Sequence, residues 1–200
     1  MGNHCAIANS LEPLVNVKKF NVGIIGYGWA ATAHIDAINA SGMAQVTNVY
    51  SSRLLDDDEL SSRHGSKITS TVNLKSMLKN PDIDVIDITS YPYQHADQVV
   101  AAAKAGKHII VEKPLTLAKR DLNRMVKAVK QAKVKTCVCF ECRFSAEFLT
   151  LKSVIDQGLV GKIHYGEVDY YHGVGPWYGQ YRWNVKKDAG GSSLLSAGCH

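Results

Sequence analysis

Three small residues near the start of the chain have a spacing that can serve ligand chemistry. Gly26, Gly28 and Ala31 match the pattern G-x-G-x-x-G/A where an apolar run joins a helix-like segment. At such a join the first glycine permits a tight turn, the second leaves room for a pyrophosphate, and the alanine lets the helix pack closely on the strand. The amide N–H groups that open the helix would bind the phosphates. The pattern predicts a dinucleotide site; a glycine turn that binds nothing is the alternative.

A second set of candidate ligand residues follows the next apolar run. That run ends in V-Y-S-S-R, where an NAD-preferring domain usually carries an acid about 20 residues past the glycines. Ser52 and Arg53 stand there instead. A hydroxyl and a guanidinium suit a 2′-phosphate, because arginine supplies fork-shaped charged donors and no carboxylate repels the phosphate. The segment favours NADP over NAD, unless Arg53 is only a solvent-facing charge or Asp56 takes the acidic position.

The third candidate is the segment E-K-P, formed by Glu112, Lys113 and Pro114. It follows the apolar run H-I-I-V, so it lies at the carboxyl end of a buried strand. Open α/β sheets bind their ligands at that end of the strands. We therefore expect Lys113 to face a ligand, with a structural lysine at a strand end as the alternative.

Strand-like and helix-like segments alternate along the chain and would position these residues. Their order is typical of βαβ units and predicts an α/β fold with a Rossmann-type, doubly wound parallel sheet. The predicted strands are Asn21 to Ile25, Gln45 to Tyr50, Lys67 to Thr69, Asp84 to Thr89, His108 to Val111 and Lys135 to Phe140. The predicted helices are Trp29 to Ala40, Gln94 to Ala105 and Ala118 to Ala132.

The rhythm changes after Phe140. A helix is predicted from Ala146 to Gln157, and an alternating strand from Ile163 to His172. We divide the chain into a polar lead (1–20), a dinucleotide-binding Rossmann domain (21–140) and the beginning of a second domain (141–200). One strand and one helix are too little for an independent sheet domain, so we expect the second domain to continue beyond His200.

From about Asn21 onward the chain resembles the Gfo/Idh/MocA family. The resemblance rests on the glycine motif, on A-G-K-H-I-I-V-E-K-P, on R-F at Arg143 and Phe144, and on the closing G-G-S-S-L-L-S-A-G-C-H. It implies a Rossmann domain followed by an open-faced α/β domain. A sugar, inositol or related polyol would be held between them against the nicotinamide of NADP or NAD. The implied activity is hydride transfer to or from a hydroxyl-bearing carbon.

The resemblance also assigns roles to individual residues. Lys113 matches a lysine that is catalytic or binds substrate, and a neutral amine there can exchange a proton with the hydroxyl being oxidised. His200 matches the acid/base histidine of the closing motif, four residues after Ser196. Ser196 stands where the family carries an aspartate, and it cannot supply the negative charge that would orient the histidine. This departure keeps open a weak or inactive protein that senses a dinucleotide or carbohydrate.

The remaining candidates complete two binding sets. His95 matches a histidine near the cofactor, and Trp183 belongs to an aromatic loop with Trp177, Tyr178 and Tyr181, whose rings suit either a sugar face or an interface. The expected cofactor contacts are Gly26, Tyr27, Gly28, Trp29, Ala31, Ser52, Arg53, Ser90, Pro92, His95, Glu112 and Lys113. The expected substrate contacts are Lys113, Arg143, Trp183, Ser196 and His200. His34, on the first helix, is expected to serve packing.

The composition limits which partners this protein is expected to bind. The net charge of +5 is spread along the chain and forms no nucleic-acid stripe, and no apolar run is long enough to span a bilayer. Five cysteines without a recognisable secretion signal indicate reduced thiols in a cytoplasmic protein. No CxxC pair completes a zinc site, so we expect no metal. The resemblance implies a homo-oligomer for an intact chain.

Overall fold

The computed structural model describes residues 19–171, 183 and 186–200. At its centre lies one sheet of six strands, and each neighbouring pair is parallel. The strands are β1 (Phe20–Ile25), β2 (Ala44–Tyr50), β3 (Thr69–Thr71), β4 (Val85–Ile88), β5 (His108–Glu112) and β6 (Thr136–Cys139). The helices are α1 (Trp29–Ala40), α2 (Asp57–His64), α3 (Leu74–Lys79), α4 (Pro92–Lys104), α5 (Lys119–Ala132), α6 (Ala146–Asp156) and α7 (Ser193–Ser196), with a 3₁₀ helix at Glu141–Phe144.

The order of strands across the sheet is β3-β2-β1-β4-β5-β6. After β1 the chain crosses to β2 and β3 on one side, and it then returns to β4 on the other side of β1. The crossovers diverge between β1 and β4, so a crevice opens at the carboxyl ends of these two strands. The predicted Rossmann-type, doubly wound parallel sheet is confirmed.

The core divides between the two faces of this sheet. Val22 and Ile24 of β1 pack with Ile35 of α1 on one face. Ile25 belongs to the cluster on the other face, because successive side chains of a strand point to opposite sides. Burying one such side chain is worth about 1.5–3 kcal/mol, so the paired clusters hold the strand ends of the crevice in place.

With one exception, the predicted strands and helices agree with the structure within two residues at each end. α2 and α3 were not predicted, because α2 is polar and buries only Leu60 and His64. Asp56 caps α2 by accepting hydrogen bonds from the amides of Asp58 and Glu59. Side-chain capping, rather than an apolar stripe, therefore marks where this helix starts.

The strand predicted from Ile163 to His172 is wrong over its described part, since residues 163–171 contain no strand. Alternating polarity gives a segment one apolar and one polar side, but a strand also needs a hydrogen-bonded neighbour. No described segment pairs with this one, and Ile163, Tyr165 and Val168 stay exposed. The described chain after β6 is helical or irregular. Among the described residues, no helix combines the length and apolar character needed to cross a bilayer.

Candidate active site

The turn after β1 is clamped between its two neighbouring strands. The amide of Gly26 donates to the carbonyl of Tyr50 at 2.9 Å, and the amide of Thr89 donates to the carbonyl of Ile25 at 2.9 Å. Gly26 has φ +98°, and a Cβ on it would lie 3.1 Å from the Cα and N of Ser90. Only glycine fits this turn without strain, because both the backbone angle and the close approach exclude a side chain.

The helix that follows this turn opens towards free space. Gly28 precedes α1 with extended backbone, and a Cβ there would meet nothing within 4 Å. No described side chain caps α1 and its first turn carries no acid, so within the described chain its leading amides are available to an anion. Ala31 is fully buried in the core cluster of β1. These residues fit the diphosphate of a dinucleotide: the glycines supply the space and the helix supplies the donors.

The two aromatic residues of the motif differ in their surroundings. The hydroxyl of Tyr27 lies 3.2 Å from Nε2 of His64, whose Nδ1 lies 2.7 Å from the carboxylate of Asp36. Asp36 accepts from Nδ1–H, so Nε2 accepts from the tyrosine hydroxyl. Tyr27 is thus anchored to α2, whereas Trp29 is 77% exposed beside the open end of α1.

The segment after β2 presents the predicted charge to solvent. Ser51 is buried, and its hydroxyl accepts from the amide of Arg53 at 3.4 Å. Ser52 and Arg53 are exposed, and within the described chain the guanidinium of Arg53 has no ion-pair partner. Asp56, the alternative acid, uses its carboxylate to cap α2. Arg53 is therefore the charged group that this segment offers to a ligand.

His95 lies beneath the crevice rather than on its surface. Pro92 opens α4, and His95 follows in the first turn with its residue 0% exposed. Its Nδ1 lies 3.0 Å from the carbonyl of Pro114, and its Nε2 lies 3.0 Å from the carbonyl of Ser90. Burial lowers the pKa of His95, so the neutral ring donates to one of the two carbonyls. It joins the turn after β4 to the turn after β5; its contact with a cofactor stays a prediction.

Lys113 stands at the end of β5, where the sequence predicted it. Its amide donates to Oε2 of Glu112 at 2.8 Å, and its Nζ donates to the carbonyl of Ser196 at 3.1 Å. The peptide bond to Pro114 is cis. The contact with Ser196 brings the closing motif to the carboxyl edge of the sheet, so Lys113 and α7 belong to one site.

Next to this lysine lies a buried charged cluster that sequence reasoning missed. His34, expected to serve packing, has Nδ1 2.8 Å from Oδ2 of Asp87 and Nε2 3.0 Å from Oε1 of Glu112. Burial acts to lower the pKa of His34, but the hydrogen bonds and charges of both carboxylates outweigh it and raise the pKa to about 10. The ring is therefore a cation that donates from both nitrogens. The available signal was Asp87 itself, a charged residue inside the apolar strand V-I-D-I.

His200, which follows α7, has a largely buried side chain. Its side chain is 6% exposed, with Nε2 3.5 Å from Oε1 of Glu141. The ring of Phe140 meets it edge-on and that of Tyr170 lies nearly parallel to it. Its Nδ1 is buried and has no hydrogen-bond partner within the described chain. An unpaired buried nitrogen is a group able to accept or donate a proton to a ligand.

Ser196 and His200 do not share a helix face, although residues four apart would do so on a continuous helix. α7 ends at Ser196, and residues 197–199 form a turn before His200. The amide of Gly198 donates to the carbonyl of Ser193 at 3.0 Å, and a Cβ on Gly198 would crowd Leu194. This glycine turn ends the helix before a further turn forms, so Ser196 contributes its carbonyl to Lys113 rather than its hydroxyl to a neighbouring histidine.

The other two predicted substrate contacts, Arg143 and Trp183, have different surroundings. Arg143 is exposed on the 3₁₀ helix. Trp183 packs against Tyr91 at the start of α4 with ring centroids 5.4 Å apart, and Tyr91 stacks on Tyr93 at 5.8 Å. The structure thus brings Trp183 to the β4 edge of the crevice. Trp177, Tyr178 and Tyr181 lie outside the described residues.

Two groups of potential metal ligands occur in the described chain. The ligand atoms of His34, Glu112 and Cys139 lie within 4.8 Å of one another, as do those of Glu141, Cys142 and His200. In the first group both nitrogens of His34 already donate to carboxylates. Burial also raises the pKa of Cys139 to about 12, which keeps the thiol protonated. In the second group the carboxylate of Glu141 is largely exposed to water. We assign neither group to a metal.

Residues 20–140 match the family model GFO_IDH_MocA, described as an oxidoreductase family with an NAD-binding Rossmann fold. The levoglucosan dehydrogenase of Pseudarthrobacter phenanthrenivorans is 33% identical, over 74% of this chain and 40% of that protein. The scyllo-inositol 2-dehydrogenase (NADP⁺) of Bacillus subtilis is 26% identical, over 92% of this chain and 50% of that protein.

A solved structure also matches this chain. The WlbA dehydrogenase of Bordetella pertussis, in complex with NADH and UDP-GlcNAcA, matches with a TM-score of 0.64 and 27% identity, over 74% of this chain and 45% of that one. The chain thus spans half or less of the length of these relatives. The family model nevertheless covers more than half of the chain, including the glycine turn, the Arg53 segment and Lys113. The chain belongs to the Gfo/Idh/MocA family of NAD-binding oxidoreductases.

Proposed function

We propose that the intact protein is an NAD(P)-dependent dehydrogenase or reductase acting on a CH–OH group of a sugar, inositol or related polyol. The observation that carries this proposal is the convergence of the glycine turn, Arg53 and Lys113 at one edge of the sheet, on both sides of the β1/β4 crevice. The relatives named for levoglucosan and scyllo-inositol support the class of substrate.

NADP is the preferred cofactor in this proposal. Arg53 is exposed and has no ion-pair partner in the described chain, so its guanidinium is available for a 2′-phosphate. Asp56, which would oppose that phosphate, is held at the N-terminus of α2 by two amide hydrogen bonds of 2.9 Å. One relative is named for NADP⁺ and one solved relative holds NADH, so the family uses both forms.

The protein's own residues manage the proton. When bound, the nicotinamide supplies the hydride acceptor or donor. The Nζ of Lys113, anchored on the carbonyl of Ser196, is placed to take up or deliver the proton of the substrate hydroxyl. The Nδ1 of His200, which has no hydrogen-bond partner within the described chain, is proposed as a second proton-exchanging group. Because this nitrogen is buried, its contact with water is limited.

A second candidate is a binding protein that uses the same pocket without turnover. The observation that favours it is the closing motif, where Ser196 replaces an acid and its carbonyl already binds Lys113. Lys113 is held by a main-chain carbonyl, and α7 contributes no carboxylate. Such a lysine exchanges a proton with a substrate less effectively than one paired with an acid. Such a protein would bind a pyridine dinucleotide tightly and reduce none of it with any polyol.

Steady-state turnover with a polyol panel separates the two candidates. On the intact protein we expect NADP reduction with at least one sugar or inositol, and Lys113→Ala lowers kcat at least about 100-fold while cofactor still binds. Lys130→Ala, on the exposed last turn of α5, is the matched loss of one lysine and leaves kcat unchanged. Full turnover by Lys113→Ala would remove the proposed role. Binding without turnover by the wild-type protein would favour the sensor.

The intact protein is also proposed to be a cytoplasmic homo-oligomer. α6 exposes Phe148, Leu149, Leu151 and Ile155, an apolar surface that supports burial against further protein. Light scattering on the intact protein tests the oligomeric state: a mass equal to one chain would contradict a homo-oligomer.

A further inference from the structure

We propose that His34 is a positioning residue of the site: it holds Glu112 in the orientation in which that carboxylate binds the main chain of Lys113. The effect on activity rests on the proposed function, whereas the positioning itself is a property of the described chain. His34 lies on α1, Glu112 at the end of β5, and Asp87 on β4, so the residues that meet here come from three different elements.

The contacts form one chain of hydrogen bonds. Asp87 accepts from Nδ1–H of His34 at 2.8 Å, and Oε1 of Glu112 accepts from Nε2–H at 3.0 Å. The other oxygen of the same carboxylate, Oε2, accepts from the amide of Lys113 at 2.8 Å. The two oxygens of Glu112 thus have different tasks. One fixes the carboxylate on His34, and the other fixes the lysine.

The charges explain why a histidine is required. Asp87 is 0% exposed, so burial raises its pKa, and the Glu112 side chain is only 17% exposed; both groups can be ionised together only with a cation between them. Asp87, Glu112 and the Cys139 thiol are the titratable groups that face the ring. The rise in the pKa of His34 to about 10 keeps that cation through the neutral range. Without it, Glu112 would turn towards water and release the amide of Lys113.

This arrangement also links the two halves of the site. His34 lies about one turn after Ala31 on the helix whose N-terminus we assign to the diphosphate. The same helix therefore carries both the phosphate-binding amides and the cation that orients Glu112. The Lys113 backbone is held relative to that helix through Glu112, rather than through strand pairing alone.

Hydrogen exchange followed by NMR tests the positioning without using activity. In the intact protein, His34→Gln is expected to raise the exchange rate of the Lys113 amide at least about tenfold, while amides of β1 and β4 stay protected. The matched control is His108→Asn, at the amino end of the same strand, where Nδ1 accepts from the Lys135 amide. It leaves the Lys113 amide unchanged. A purely structural role for His34 would instead raise exchange throughout the sheet.

Kinetics supply the second measurement. His34→Gln is expected to lower kcat about 10- to 100-fold, the range typical of residues that orient a ligand group, with the Kd for NADP changed less than about threefold. If His34→Gln does not fold, Glu112→Ala removes the acceptor of the same amide while leaving the His34–Asp87 pair, and it should show the same local exchange.

The outcomes are distinguishable. An unchanged Lys113 exchange rate in both variants overturns the positioning role, whatever the kinetics show. Faster local exchange in a protein whose wild type turns over no substrate supports the positioning role and contradicts the proposed function.

Discussion

Substitutions of the two glycines in the turn after β1 should have different effects: one should lower stability and the other should weaken cofactor binding. The contrast tests the assignment of the diphosphate site. In Gly26→Ala, the new Cβ meets the backbone of Ser90 at 3.1 Å in a turn held by the 2.9 Å bond from the Thr89 amide. The φ of +98° adds strain of about 1–2 kcal/mol, and the contact adds about 1–3 kcal/mol. We expect a total loss of about 2–5 kcal/mol in the free energy of unfolding.

Gly28→Val should behave differently. Its backbone is extended and nothing lies within 4 Å of the new Cβ, so the loss of stability stays below about 1 kcal/mol. The side chain fills the space that we assign to the diphosphate and separates it from the amides of α1. Losing two charge-assisted hydrogen bonds costs about 3–6 kcal/mol, which corresponds to a Kd for NADP at least about 100-fold weaker.

Urea unfolding and isothermal titration calorimetry on the same samples measure both effects. Gly42→Ala is the matched control: it has φ +70° but an open Cβ position, so it reports strain without contact. A Gly28→Val protein that binds NADP like the wild type would refute the placement of the diphosphate. A Gly26→Ala protein as stable as Gly42→Ala would refute the clamped turn.

Three further predictions follow from named contacts. Arg53→Ala should weaken NADP binding about tenfold or more while NAD binding changes less than about threefold, and equal losses for both cofactors in calorimetry would contradict the 2′-phosphate assignment. The pKa of His34 is raised to about 10, so its contribution to stability is complete below pH 6.5 and is lost as pH rises towards 10. We expect about 1–2 kcal/mol to be lost between pH 7 and 10, because solvent partly screens the ring; urea titrations that show the same decline in His34→Gln would count against the buried cation. Ile24→Ala, which removes a fully buried side chain of β1, should lower the free energy of unfolding by about 2–5 kcal/mol, and a loss below 1 kcal/mol would contradict the packing described for this strand.

The sheet was predictable because its signals are local and redundant. Apart from β3, each strand is an apolar run of four to seven residues, and the glycine motif identifies which run is β1. α2 escaped prediction because a polar helix with two buried residues has little periodicity, and its start is encoded by the carboxylate of Asp56 instead. The strand predicted at 163–171 failed for the opposite reason. Its alternating apolar and polar residues are typical of a strand, but a strand also requires a neighbouring strand to pair with.

The site was predictable where one residue type can do the task, and not where distant residues must meet. The glycines and Lys113 directly follow apolar strands in the sequence, so their positions at strand ends could be predicted, and their roles stay predictions. His34, Asp87 and Glu112 are far apart along the chain, and only the sheet order brings them together. Ser196 shows the same limit, because spacing alone did not reveal that Gly198 ends α7 and leaves the serine carbonyl to hold Lys113.

The most direct measurement is a calorimetric titration of the intact wild-type protein with NADP and with NAD. The geometry of the glycine turn and of Arg53 predicts saturable binding of both, with the smaller Kd for NADP. A correctly folded intact protein that binds neither dinucleotide would contradict the central claim that the β1/β4 crevice is a dinucleotide site.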